Sequence, residues 1–197
     1  MTSHKHINKK DIIIIDFEGF IGKPPSFVGV WDNGTYTIII LDKNMIGVTD
    51  QKNVVFMDLQ SFLEETASFC RNENKKLIGY SNKELEVFKE FGVYISDIYY
   101  NPIKNLKKWF YKKQYKLPKP FALNDVLKVL EYPKYRYFGD KQTTQRIKHV
   151  TTQLIRSNQN FQDLTPVAKS KWTKLQKYNN QDVVGLLWTL EHSQLVA

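Results

Sequence analysis

An α/β fold is predicted, on three observations. A continuous β-branched run, Ile12-Ile13-Ile14-Ile15, has the pattern of a central strand covered on both faces. Two further strand-like runs, Phe27 to Trp31 and Thr35 to Leu41, are joined through Asp32-Asn33-Gly34, a turn-forming sequence suited to a β-hairpin. After this expected antiparallel meander, helical periodicity alternates with short apolar runs, so the order reads βββ, then αβ and αβ, then helices.

The later elements follow in turn. Asp58 can cap a helix to about Asn72, with Leu59, Phe62, Leu63, Thr66, Ala67 and Cys70 on one face. Lys76 to Tyr80 reads as a short buried strand. Ser81 or Asn82 can cap a helix through Phe91, Gly92 stops it, and Val93 to Ile98 reads as a further strand. Helices are expected over Ile103 to Tyr115, Ala122 to Leu130 and Thr143 to Ser157. The last runs from Lys169 to Ser193, with Asn179-Asn180 as a candidate break and Leu175, Val183, Leu186, Leu187 and Leu190 on its inner face. Met1 to Lys10 is polar and basic and reads as a flexible lead-in, leaving residues 11–197 as one expected domain.

Charge narrows the choice of partner. Lys and Arg total 29 against 20 Asp and Glu, and the resulting +9 favours an anionic partner, either nucleic acid or an acidic membrane surface. The apolar run at Ile12 to Ile15 is far too short for a membrane span, and a soluble protein is expected. The lone Cys70 can form no internal disulfide and offers no thiolate cluster for zinc, which suits an intracellular setting, cytoplasmic or nuclear. No Walker-type phosphate loop or dinucleotide fingerprint is present, and no Cys-His or Ser-His-Asp arrangement suggests nucleophilic catalysis.

The chemistry lies in the acids. Asp16 and Glu18 leave the first strand two positions apart, so their side chains point to the same side, although Asp-x-Glu pairs are common and usually solvated. Glu84 sits where a strand ends and a helix starts, a place where acids face a cleft. Glu in a first helical turn is also favoured by the helix dipole alone, and Glu86 competes beside it. On the C-terminal helix Tyr178 and Asp182 are four apart and share a face. Such a pair is common on ordinary helices as well. Carboxylates converging from strand ends and a facing helix are what two-metal phosphodiester hydrolysis needs, because hard Mg²⁺ or Mn²⁺ prefers oxygen ligands.

Taken together, Asp16-Phe17-Glu18 after its strand, Gly79 to Glu84, and Tyr178-Asn179-Asn180-Gln181-Asp182 resemble the three motifs of the DEDD exonuclease superfamily, in its Tyr-x-x-x-Asp branch. The resemblance covers nearly the whole chain. It implies an RNase H-like fold with a mixed five-stranded sheet flanked by helices, and 3′→5′ exonuclease activity on single-stranded nucleic-acid ends, DNA or RNA. It also implies two divalent cations, Mg²⁺ or Mn²⁺, held by Asp16, Glu18, Glu84 and Asp182, and a tyrosine, Tyr178, that orients the hydrolytic water. Most members carry Asp in the second motif; here Tyr-Ser-x-x-Glu resembles subfamilies of predicted nucleases in which Glu fills that place. A longer side chain there can displace the metal, so a catalytically degenerate nucleic-acid-binding or structural module is the alternative. Asp97 reads as an auxiliary acid or as a cap.

Between Asp97 and Asp125 no acid occurs, while Lys107, Lys108, Lys112 and Lys113 interleave with Trp109, Tyr111 and Tyr115. Lysines can neutralise phosphates while rings stack on unpaired bases; the same pattern also describes a helix with a solvated lysine face and buried rings. Arg136, Tyr137, Phe138 and Lys141 form a second, shorter cluster in an expected loop that can cover the cleft.

Overall fold

The computed structural model describes residues 7–20, 22–139 and 142–196. Its centre is β1 (Ile12–Gly19), flanked by β2 (Pro25–Asp32) and β5 (Lys76–Ile78) in a six-stranded sheet that also holds β3 (Thr35–Ile40), β4 (Val54–Phe56) and β6 (Tyr99–Tyr100). The strand order is β4-β3-β2-β1-β5-β6. β2 pairs antiparallel with both β1 and β3, whereas the β3–β4, β1–β5 and β5–β6 pairs are parallel, so β2 alone runs against the rest.

Helices cover both faces, as a strand of four consecutive isoleucines requires. Ile13, Ile15 and Phe17 pack with Phe62, Leu63 and Cys70 of α1 (Leu59–Asn72) and with Val87 and Phe88 of α2 (Lys83–Glu90). The alternate residues Ile12 and Ile14 meet Leu123 and Leu127 of α4 (Leu123–Val129), and Val183 and Leu186 of α6 (Pro166–His192). Farther along this second face, Phe27, Ile38 and Ile40 pack on α5 (Thr143–Arg156) and on Trp172 and Leu175 of α6. The remaining helix, α3 (Ile103–Lys112), sets Phe110 against Val126 and Leu130. Because side chains alternate along a strand, Asp16 and Glu18 share the side of Ile14 and therefore face α6.

The expected five-strand sheet is corrected in two places. β4 is an additional edge strand that follows a 3-10 stretch, Lys43–Asp50, and at three residues it is too short to leave a periodic signature. The strand expected over Val93 to Ile98 is a turn instead. There Ile95 and Ile98 are buried three apart, the Ile95 carbonyl accepts from the amides of both Ile98 and Tyr99, and the sixth strand starts only at Tyr99.

Two termini also differ from expectation. α6 runs unbroken through Asn179-Asn180; it is capped by the Thr165 hydroxyl, which accepts from the Ala168 amide, and has Pro166 in its first turn. The first six residues of the expected basic lead-in lie outside the described ones. Ile7 to Lys10 are tied to the other end of the chain, through a bridge from Ile7 to Val196 and a 2.6 Å ion pair between Lys9 and Glu191.

Candidate metal centre

Two elements deliver the acids. β1 carries Asp16 and Glu18 past the point where it pairs with β5, and α6 lays Asp182 over them. One carboxylate oxygen from each of Asp16, Glu18 and Asp182 lies within 4.8 Å of the others. Like charges at that separation repel strongly away from bulk water. The cost appears as raised proton affinity. Burial pushes Glu18 up to about 8, helped by the charge of Asp182, and pushes Asp182 up to about 7, with the neighbouring Tyr178 hydroxyl pulling the other way. Asp16 is raised well above the usual carboxylate range, first by burial and then by Glu18, Asp182 and Glu84. The Lys83 ammonium opposes this at Asp16 and Glu18, from an exposed position at the start of α2.

Asp182 Oδ1 is buried and accepts no hydrogen bond. A buried carboxylate oxygen without a partner is costly in a finished structure, and a cation removes that cost. Three hard oxygen donors around an orphaned buried oxygen are the donor set that Mg²⁺ or Mn²⁺ prefers, so these residues fit a divalent ion.

Asp16 is itself held. Asn179, fully buried on α6, donates from Nδ2 to the Asp16 carbonyl at 3.0 Å and to its Oδ2 at 2.8 Å, while its Oδ1 accepts from the Tyr36 hydroxyl at 2.8 Å. The opposing strand makes room for it: a Cβ on Gly29, the residue paired with Asp16, would lie 1.7 Å from Asn179 Oδ1. In the sequence Asn179 stands out only as a candidate helix break. The available signal was its place inside the Tyr178-to-Asp182 segment.

Tyr178 stays a neutral phenol, because burial and the charges of Asp182, Glu18 and Asp16 all oppose its ionisation. Its ring meets Phe138 edge-on at 6.2 Å. Glu84 is placed differently from the other acids. It is 3% exposed and its Oε2 accepts from Ser81 Oγ at 2.9 Å and from the Tyr99 hydroxyl at 3.2 Å, so its oxygens stand outside the three-acid group although its charge reaches Asp16 and Glu18. A Cβ on Gly79 would lie 2.5 Å from the Tyr99 hydroxyl and 2.8 Å from Glu84 Oε2, which explains the glycine that precedes this turn. Glu86 is exposed, and Asp97 forms a surface ion pair with Arg71 at 2.9 Å, away from the acids that converge.

The lysine–aromatic segment divides. Phe110 is buried, and Trp109 packs against Tyr115 and His192 at ring separations of 5.6 and 5.7 Å. Lys107 lies over the Phe121 ring and is exposed, as are Lys108, Lys112 and Lys113 and also Tyr111, which is 70% accessible. In the second cluster Arg136 and Tyr137 are exposed and Phe138 is half-buried; Lys141 lies outside the described residues. None of the described helices is long and apolar enough to cross a membrane.

No family model matches the sequence, and no curated protein matches it either.

Proposed function

We propose that this chain is a metal-dependent nuclease of RNase H-like fold that hydrolyses phosphodiester bonds at single-stranded nucleic-acid ends, as the resemblance to DEDD 3′→5′ exonucleases implies. One observation carries the reading. Asp16, Glu18 and Asp182 bring carboxylate oxygens within 4.8 Å, from a central strand and a crossing helix, and leave Asp182 Oδ1 buried without a partner. Without a cation, such a cluster relieves its repulsion chiefly by holding protons, which the raised proton affinity of all three acids reflects.

When bound, a divalent cation supplies charge to neutralise phosphate oxygens and to acidify water. The protein's own groups do the rest. Asn179 fixes the Asp16 carboxylate in one rotamer, and the neutral Tyr178 phenol, beside Asp182, is a hydrogen-bond donor that can orient a water for in-line attack. Lys83 stands near enough to Asp16 and Glu18 to act on their charge, and it adds positive potential where a phosphate approaches. The test combines two readouts: Asp182→Asn abolishes degradation of labelled single-stranded DNA and RNA in Mn²⁺, and it abolishes the calorimetric Mn²⁺ signal, while far-UV circular dichroism is unchanged. Undiminished hydrolysis by this variant removes the assignment.

A second reading, a nucleic-acid-binding module without catalysis, draws on Glu84. Its carboxylate already accepts two hydroxyl hydrogen bonds and stands outside the three-acid group. Retention of labelled strands without degradation in Mg²⁺ or Mn²⁺ favours this module over the enzyme.

A further inference from the structure

The seam between α5 and α6 holds a second gathering of like charges, opposite in sign to the acids. A cavity of about 360 Å³ opens there, lined from α5 by Lys148, His149 and Arg156 and from α6 by Lys171. Lys148, Thr152 and Arg156 recur at every fourth residue, so α5 lines the cavity with one stripe of its surface. Lys171 stands eleven positions before Asp182 on α6, about 16 Å at the usual helical rise, which separates this cavity from the acids.

These cations have no counter-charge. Elsewhere Lys9, Arg71, Lys75 and Lys128 each face a carboxylate. Among the described residues, Lys148, Arg156 and Lys171 take part in no ion pair, and no Asp or Glu lines the cavity. Asp163, which lines a neighbouring hollow with Arg156, accepts from Asn160 Nδ2 at 2.8 Å instead. Three positive charges around one cavity repel one another, and Lys171 is half-buried, where water screens that repulsion less. The imidazole supplies an independent observation: His149 Nε2 is buried and has no hydrogen-bond partner. A polar nitrogen in that state lacks what water gave it in the unfolded chain. An anion in the cavity answers both costs, balancing the cations and, after a small rotation of the half-buried ring, accepting from the imidazole N–H.

The kind of anion follows from the rest of the lining. Apart from the imidazole no ring borders the cavity, so nothing there stacks on a base, and the remaining side chains are amides and a hydroxyl that donate to oxygen. A carboxylate offers two oxygens in one plane. Cations and an imidazole that come from two different helices suit a tetrahedral group with several oxygens. The structure assigns this cavity to a phosphate group, held by Lys148, Arg156 and Lys171 with His149 donating from Nε2. The assignment does not rest on the hydrolase reading, because none of these residues belongs to the three-acid group. Phosphate of this chemistry has two sources, a free anion or the backbone of a strand.

Calorimetric titration of inorganic phosphate into the metal-free protein at neutral pH is the test. One phosphate per chain is taken up saturably. Lys171→Gln and Arg156→Gln each weaken uptake about tenfold, the size expected for loss of one charge-assisted hydrogen bond. His149→Ala weakens it too, and His149→Gln, whose amide sets an N–H near the same point, keeps it. Lys89→Gln removes the same charge from the end of α2, on the opposite face of the sheet, and leaves uptake unchanged. A second titration, of labelled oligothymidine in Ca²⁺ by fluorescence anisotropy, identifies the source. Weaker strand binding by Lys171→Gln than by Lys89→Gln assigns the site to backbone phosphate, and equal strand binding by the two assigns it to a free anion. Absence of saturable phosphate uptake by the unmodified protein overturns the proposal. So does an equal loss of uptake in Lys89→Gln and Lys171→Gln, the mark of net charge alone. Neither result touches the hydrolase, whose own test is cleavage by Asp182→Asn.

Discussion

Asn179 donates from one amide nitrogen to both the carbonyl and the carboxylate of Asp16, at 3.0 and 2.8 Å, and so locks the first strand to the last helix at the point where their acids meet. Removing either side of this lock leaves buried polar atoms without partners. Asn179→Ala is expected to lower stability by about 1–3 kcal/mol, read by urea denaturation, and to reduce cleavage. Gly29→Ala reaches the same result from the opposite strand, because its Cβ falls 1.7 Å from Asn179 Oδ1. Wild-type stability in both variants would remove the positioning role.

Stability of the metal-free protein depends on pH in a direction set by the same acids. Glu18 at about 8 and Asp182 at about 7, with Asp16 also raised, hold protons in the folded chain that an unfolded chain releases near pH ~4. Between those limits the unfolded state binds fewer protons, so stability is greatest near and below pH ~4 as far as these groups are concerned and falls as pH rises toward 8. Melting temperature in EDTA is expected to drop from pH 5.5 to pH 8, and Mn²⁺ is expected to restore it, most at the higher pH. A metal effect equal at both pH values contradicts the site.

Asp182→Asn separates stability from function. Neutralising one of three crowded carboxylates relieves repulsion, so the variant should melt higher than the unmodified protein in EDTA at pH 8, by about 2–4 °C for each kcal/mol relieved. In Mn²⁺ the order reverses. A variant that melts lower in both conditions places Asp182 in ordinary packing.

Tyr178→Phe tests the phenol. The ring and its edge contact with Phe138 remain, and only the hydroxyl beside Asp182 is lost. Cleavage is expected to fall about a hundredfold with calorimetric Mn²⁺ uptake retained, the signature of a group that orients water rather than metal. Loss of Mn²⁺ binding contradicts that division of roles.

The exposed lysines of α3 and its end report on the strand's path. If Lys108, Lys112 and Lys113 each neutralise a phosphate, the triple alanine variant flattens the slope of log K against log salt by about 2 for a single strand. An unchanged slope assigns them to a solvated face.

Much of this architecture was legible in the chain. Four consecutive isoleucines identify a strand covered on both sides, the Asp-Asn-Gly turn identifies its hairpin neighbours, and the spacing of Tyr178 and Asp182 puts both on one helix face; all are local consequences of backbone periodicity. β4 and β6 were illegible because two or three residues carry no period, and their strand character comes from the neighbour they pair with. For the same reason, Val93 to Ile98 looked extended when its two buried isoleucines serve a turn.

The sequence by itself determined which acids were available and on which kind of element each sits. Only the tertiary structure decided which of them meet. It brought Asp16, Glu18 and Asp182 together, left Glu84 to Ser81 and Tyr99, and turned Asn179 from a candidate break into the residue that holds Asp16. The physical reason is range: helix and strand preferences act over a few neighbouring residues, whereas Asp16 meets Asn179 across 163 positions, a partnership that only the packing of strand on helix can make.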